Sequence, residues 1–144
     1  LVFMGPHMGD LENAAVYEMY KQTEAHFEDL FSIAPQLVVS DSHPNYFSSR
    51  FGKEFAKSHN IPFMTVQHHE AHIAAVMAEH NILGPVLGIA LDGTGYGIDG
   101  TVWGGEIMQV SATEATRLAH LKETPLPGGE MSVREPWREV LCGG

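Results

Sequence analysis

The sequence has a single cysteine, Cys142, so no disulfide can close within the chain. One unpaired thiol suits a reducing compartment, and a cytoplasmic protein is expected. Positive charge is also scarce. Eight Lys and Arg stand against eighteen Asp and Glu, a formal net charge of −10. That field repels phosphate backbones, so nucleic acid is not the expected partner. No apolar run approaches the ~20 residues that a membrane-spanning helix needs. The opening LVFMGPHMGD lacks a basic stretch ahead of a long apolar core, so neither a signal peptide nor a membrane partner is expected. What remains is a chain of 144 residues, 44% hydrophobic and 18% charged, the profile of a soluble globular domain with its own core. Because it starts at Leu1 and stops at Gly144 just after a predicted helix, it reads as a piece of a longer protein.

Periodicity gives an α/β pattern. LVFM at 1–4 is a short apolar run that predicts a strand. Asp10 is a plausible N-cap for a helix in which Val16, Tyr20, Thr23, Phe27, Leu30 and Phe31 recur at helical spacing until Pro35. QLVVS at 36–40 predicts a buried strand, DSHPNY at 41–46 a turn forced by Pro44, and 46–58 a helix. PFMTV at 62–66 then predicts a strand and 68–81 a third helix. Alternation of strand and helix is the mark of a parallel sheet with crossover helices. After NILGP at 81–85 the pattern changes to three strand-like runs, VLGIALDG, TVWGGEIMQV and ATRLAHLK, and eight of the fifteen glycines fall between Gly84 and Gly105. A boundary between two lobes is expected there, with 1–84 in the first and 85–144 in the second.

The stretch QHHEAHIAAVMAEH at 67–80 holds four histidines. On a helix, His68 and His72 point within about 40° of each other one turn apart, which lets both imidazoles reach one metal, whereas His69 points roughly 100° away. The zincin pattern H-E-x-x-H is absent: Glu70 lies two positions after His68 and faces away from such a metal. Ala71, Ala74 and Ala75 are small enough to let another backbone approach. An isolated H-x-x-x-H is common in helices whose histidines bond to solvent and backbone, so a third ligand is needed. Asp92 is the natural candidate, at the end of the apolar strand VLGIAL, where sites in α/β folds collect. Two imidazoles and a carboxylate leave a position open, as catalytic metals require, and they suit zinc and ferrous iron about equally. The competing reading of Asp92 is an ordinary Asp-Gly turn residue.

LDGTGYGIDGTVWGGE at 91–106 carries glycines at 93, 95, 97, 100, 104 and 105. Without side chains in the way, backbone N–H groups there are free to gather around an anion in a strand-turn-strand phosphate clip. It is neither a Walker A loop nor a dinucleotide fingerprint, because no G-K-S/T follows and the next segment predicts a strand. A plain hairpin closed by Asp99-Gly100 fits the same residues.

Taken together, HMGDLEN, DSHPNYFSSRF, VQHHEAHIAAVMAEH, LDGTGYGIDGTVWGGE, LPGGE and REPWR run in order through nearly the whole chain and closely resemble the HypF carbamoyltransferases of nickel–iron hydrogenase maturation. The resemblance implies an actin-like, Hsp70 and sugar-kinase (ASKHA) architecture of two RNase-H-like lobes with nucleotide between them, of which this chain holds the later part of the first lobe and the opening strands of the second. It implies that His68, His72 and Asp92 bind a mononuclear zinc or iron ion, a further acidic ligand lying beyond Gly144. It implies that Gly93, Thr94, Gly95, Gly97, Gly104 and Gly105 face ATP or carbamoyl adenylate. The activity implied is transfer of a carbamoyl group, made from carbamoyl phosphate and ATP in upstream acylphosphatase-like and YrdC-like domains, to the cysteine of the HypE C-terminal tail. Asp92 and His43 are the residues placed at the chemistry, His43 as a substrate or supporting contact, although a histidine that stabilises the turn before proline fits as well. Two departures from the family stand out: Glu70 where a histidine is common, and Ser42 where a larger residue is common. The isolated segment is not expected to make carbamoyl adenylate. A relative of the tRNA threonylcarbamoyl-transfer or O-carbamoyltransferase enzymes is the nearest alternative, disfavoured by W-G-G-E where the tRNA group has a Ser-Gly-Gly turn. A non-catalytic metal- or nucleotide-binding module is the other. Trp103 and Trp137 are expected as packing anchors, Glu106 as a hairpin-edge or cleft residue, Arg134 and Arg138 as partners of Glu135 and Glu139, and Cys142 without a catalytic role.

Overall fold

A computed structural model describes residues 2–123 and 131. LPGGE at 126–130, REPWR at 134–138 and Cys142, with the roles expected of Trp137, Arg134 and Arg138, lie outside the described residues. The elements run α1 (Ala14–Phe31), β1 (Val38–Asp41), α2 (Phe47–His59), β2 (Phe63–Val66), α3 (His68–Glu79), β3 (Val86–Tyr96), β4 (Val102–Val110) and β5 (Ala115–His120). They fall into two compact units, Leu1–Val66 and Gln67–Gly144. Among the described residues no helix is long and apolar enough to cross a membrane.

In the first unit β1 and β2 pair in parallel, Val38 opposite Phe63 through Asp41 opposite Val66, with α2 as the crossover. The helix buries Ser49, Gly52 and Ala56, three small residues at helical spacing. Gly52 lets the helix settle onto the strands: a Cβ there would lie 3.1 Å from Val38 Cγ1 and 3.4 Å from Phe63. Ser49 Oγ donates to the Asp41 carbonyl at 3.0 Å, fixing where the crossover begins. Asn60 closes α2 in the left-handed conformation, a role its short polar side chain tolerates.

Three expectations for this unit are corrected, the first being that QLVVS at 36–40 is buried: it forms β1 from Val38 on, and none of that strand's residues is buried. The LVFM run forms no strand over residues 2–4; Phe3 instead stacks on Phe31 with centroids 3.7 Å apart. An apolar tetrapeptide makes a strand only where a sheet edge accepts it, and here an aromatic face is the partner. The N-cap of α1 is Asn13, whose side chain accepts from the N–H groups of Ala15 and Val16, while Asp10 accepts from Glu12 N in the preceding turn. Both are good capping residues, and the one adjacent to the helical run takes the cap.

The second unit is α3 on a three-stranded antiparallel sheet ordered β3-β4-β5. Ile73 and Met77 from the helix join Ala90, Trp103, Met108 and Val110 in the core, with Val86 and Ala115 against it. The helix face that approaches the sheet is thus His69, Ile73 and Met77, all buried, while Ala71, Ala74 and Ala75 are exposed. Here the strands carry the small residues. A Cβ on Gly88 would come within 2.5 Å of Ile73, so Ile73 sits directly on strand backbone. Register breaks between Leu91 and Gly95: Leu91 is opposite Gly105 and Gly95 opposite Trp103, so Asp92, Gly93 and Thr94 face Gly104 alone. This bulge is what re-aims Asp92.

Candidate metal centre

Gln67 starts α3 by accepting the N–H groups of His69 and Glu70 at 2.7 and 3.0 Å, which orients the first helical turn. One face of that turn carries His68, and the next turn carries His72. From the bulge of β3, Asp92 reaches the same point. His68 Nε2 lies 2.8 Å from Asp92 Oδ2, His72 Nε2 lies 3.6 Å from it, and the two Nε2 atoms are 3.2 Å apart. One ligand atom from each residue falls within 4.8 Å of the others, the only such His/Cys/Asp/Glu group among the described residues. The three positions expected from the sequence are therefore brought together.

The donor set fits a small divalent cation. Gly93 N–H holds Asp92 Oδ1 at 2.7 Å, which leaves Oδ2 turned to the imidazoles, buried and with no hydrogen bond of good geometry. Two ring nitrogens and one carboxylate oxygen converging on one point match the ligand types and count of an open zinc or iron site. Burial raises the Asp92 pKa, but the Gly93 N–H and the neighbouring His68 outweigh it, and the carboxyl ends below its usual range. Asp92 is thus held as the anion that a metal requires.

The glycines of the hairpin serve close approach. Gly104 lies under the bulge, where a Cβ would be 3.3 Å from the Asp92 carbonyl; Gly95 receives the His69 ring, Gly97 the Trp103 indole and Gly105 the Leu121 side chain. Three of the N–H groups expected to face an anion are engaged within the protein: Gly93 on Asp92 Oδ1, Gly97 on the Thr101 carbonyl at 2.9 Å and Gly104 on Glu106 Oε1 at 3.2 Å. Thr94 is exposed on the bulge. The Asp99-Gly100 turn closes the hairpin, with Gly100 at φ 79° and Asp99 accepting from Thr101 and from Trp103 Nε1. Trp103, 3% exposed, is the packing anchor the sequence led one to expect.

His43 lies in the first unit. Its N–H donates to Asp41 Oδ1 at 2.7 Å, its Nδ1 accepts from Asn45 N–H at 3.2 Å, and its ring stacks on Tyr46 at 4.1 Å, which ties it into the turn between β1 and α2.

Two residues take places other than the sequence suggested, and one of them, Glu106, expected at a hairpin edge or cleft, is instead buried on the central strand β4. His69, set aside because it points off the ligand face, is fully buried. Burial lowers its pKa, against the opposing pull of Glu106 and Asp92. Glu106, 1% exposed, pairs with Arg117 at 2.6 and 3.0 Å, and the guanidinium lies over the Trp103 ring at 3.9 Å. Its signal was present as alternation along β4 and β5, but which residues face each other across two strands depends on a register that the sequence does not state.

Comparison with known proteins divides the chain after α3, not before it as the compact units do. Residues 1–79 match the family model described as the HypF Kae1-like domain, and residues 88–142 match the model for the second subdomain of the carbamoyltransferase Kae1-like domain. Carbamoyltransferase HypF2 of Cupriavidus necator is 50% identical over 136 residues, covering 94% of this chain and 17% of that protein. Carbamoyltransferase HypF of Synechocystis sp. is 43% identical over 141 residues, 97% of this chain and 18% of that protein. A solved full-length HypF in its phosphate- and nucleotide-bound form matches with TM-score 0.83 and 43% identity over 94% of this chain and 18% of its own length. HypF of T. kodakarensis matches with TM-score 0.82 and 40% identity over 89% of this chain and 17% of its own. The chain thus spans less than a fifth of the length of these relatives.

Proposed function

Since the chain belongs to the HypF family of carbamoyltransferases, we propose that it supplies the metal-binding and carbamoyl-transfer site of such an enzyme. The observation that carries this reading is the convergence of His68, His72 and Asp92 on one point, from a helix and a strand bulge far apart in sequence. In the whole enzyme the substrates are carbamoyl phosphate and ATP, used through carbamoyl adenylate made by upstream domains, and the acceptor is the cysteine of the HypE C-terminal tail. Support for nucleotide comes from the relative solved with phosphate and nucleotide bound. The lobe arrangement is read as ASKHA-type, with 1–84 from the first RNase-H-like lobe and 85–144 opening the second.

His68, His72 and Asp92 would hold one zinc or iron ion. When bound, that ion supplies Lewis-acid polarisation of a carbamoyl or phosphate oxygen. The chain's own residues do the rest. Gly93 N–H fixes the rotamer of Asp92, so that the carboxylate meets the ion without reorganising. Of the hairpin positions expected to face nucleotide, Gly93 and Thr94 are exposed on the bulge and form the nucleotide-facing surface, whereas Gly95, Gly97, Gly104 and Gly105 pack against His69, Trp103, the Asp92 carbonyl and Leu121. The acceptor thiolate attacks the carbamoyl carbon, a C–S bond forms, the C–O bond to the adenylate phosphate breaks, and AMP leaves. His43 shapes the turn ahead of α2, a role supported by its bonds to Asp41 and Asn45 and its stacking on Tyr46.

The test is carbamoyl transfer from labelled carbamoyl phosphate to the acceptor thiol, measured with the full-length protein that contains this segment. His68→Ala and Asp92→Ala are expected to abolish transfer while the ATP-dependent formation of carbamoyl adenylate continues. Transfer at the wild-type rate in both variants would refute the assignment.

A further inference from the structure

The Q-H-H-x-x-H stretch carries two sets of side chains, and only one faces the metal point. Gln67 and His69 belong to the other. Gln67 is 6% exposed and His69 0%. The Gln67 side chain works in two directions: its oxygen caps α3 at His69 N and Glu70 N, and its amide Nε2 lies 3.2 Å from the Tyr96 carbonyl on β3 and 3.1 Å from His69 Nδ1. The His69 ring fills most of the space over Gly95, where a Cβ would stand 2.5 Å from its Cε1, 2.9 Å from its Nδ1 and 3.1 Å from the Cβ of His68. The ring also neighbours Trp103, centroids 6.3 Å apart and tilted by 38°. Gly95 is the residue at which β3 regains register after the bulge that carries Asp92, and His69 adjoins His68 on the helix.

We propose that Gln67 and His69 form a positioning clip that sets the separation of α3 from the β3 bulge, and so the spacing of His68 and His72 from Asp92. The inference rests on the metal reading above and deepens it. Each end of the clip is fixed to a different side of the site. The amide ties the helix start to the strand at Tyr96, while the imidazole is the spacer that keeps the bulge from collapsing onto the helix. A ring is suited to this because it is rigid, and Gly95 is suited because any side chain there would meet that ring. Shortening the spacer lets α3 and the bulge drift relative to each other, and ligand geometry is lost although all three ligands remain.

Binding of cobalt(II) alone to the metal-free chain, read from its visible ligand-field bands, tests this without reference to activity. Wild type is expected to bind about one equivalent with the intense bands of a four-coordinate ion. His69→Ala should weaken binding by about tenfold or more and alter the bands, as loss of a residue that orients a metal's ligands does. His69→Asn, which keeps an acceptor near the Gln67 amide, should recover part of the loss. Gly95→Ala should weaken binding alone, yet cost less than its own effect when added to His69→Ala, because the new methyl enters the space the ring vacated. If His69→Ala does not fold by circular dichroism, His69→Asn carries the test, and wild-type cobalt affinity and bands in it would overturn the clip; Gly95→Ala alone does not, because its methyl also meets the Cβ of His68 at 3.1 Å. Wild-type cobalt affinity and bands in folded His69→Ala, or strictly additive effects in the double variant, would overturn the clip while leaving the metal site intact. Wild type that binds no cobalt would overturn the metal reading and the clip with it.

Discussion

The helices α2 and α3 solve one packing problem in opposite ways. In α2 the helix is flat and the strands are bulky: its buried face is Ser49, Gly52 and Ala56, and Gly52 lies against Val38 and Phe63. In α3 the helix is bulky and the strands are flat: Ile73 sits on Gly88 and His69 on Gly95. The difference matters for chemistry. A helix that inserts large side chains into glycine-floored holes is pinned in rotation and translation, and its next face can then hold ligands to fractions of an ångström. Charge follows the same division. Among the described residues the first unit buries Ser49 as its one polar side chain, while the second buries Gln67, His69 and Glu106.

The largest expected effect breaks the buried charge pair. Arg117→Ala strands the Glu106 carboxylate, 1% exposed, and should destabilise the second unit by about 3 kcal/mol in chemical denaturation. A loss under about 1 kcal/mol would mean that the pair is solvated and contributes little. Next comes the floor beneath α3. Gly88→Ala drives a methyl into Ile73, whose branched side chain has few rotamers to escape to, and should cost about 2 kcal/mol, with partial recovery when Ile73→Ala is added. The matching change in α2 sharpens the contrast. Gly52→Ala meets Val38 at 3.1 Å but gains about 1 kcal/mol of helix propensity, so a net change within about 1 kcal/mol is expected. Equal costs for the two glycines would erase the distinction drawn between the helices.

The smallest effect is a pH dependence at the hairpin turn. The Thr101 N–H and hydroxyl, and to a lesser degree the Trp103 indole N–H, hold the Asp99 carboxyl below its usual range against an opposing effect of burial that is smaller than those of Thr101. A depressed folded pKa contributes stability that is fully present above the unfolded value of about 4 and is lost as pH falls through the lower folded value. Asp99→Asn should therefore lower stability modestly at neutral pH, where the anion's contribution is lost, change it little at strongly acid pH, and so flatten the acid limb of a stability profile below about pH 4, seen by Trp103 fluorescence. An unchanged acid limb would show that the turn's hydrogen bonds do not favour the anion.

Much of this architecture was legible from pattern alone. Strand-length apolar runs at 36–40 and 62–66 became the parallel pair β1 and β2, and the change of character after NILGP became the glycine-rich meander. The pairing of His68 with His72 followed from helical spacing, and Asp92 from its place at the end of an apolar run. What escaped was tertiary. LVFM looks like any short strand, and only the three-dimensional position of Phe31 gives Phe3 a different partner. His69 was dismissed because helical geometry turns it away from the ligands. The reason for a histidine there is the hole at Gly95, twenty-six positions later and visible only once β3 lies under α3. The match between Glu106 and Arg117 likewise depends on a register that shifts within the β4–β5 ladder, between Ile107 and Met108.

Elemental analysis of the purified chain beside His68→Ala and Asp92→Ala tests the central claim most directly. The account predicts about one zinc or iron ion per wild-type chain and almost none in either variant, since two remaining ligands do not retain such an ion. A metal-free wild type, or metal that persists after Asp92→Ala, would contradict it.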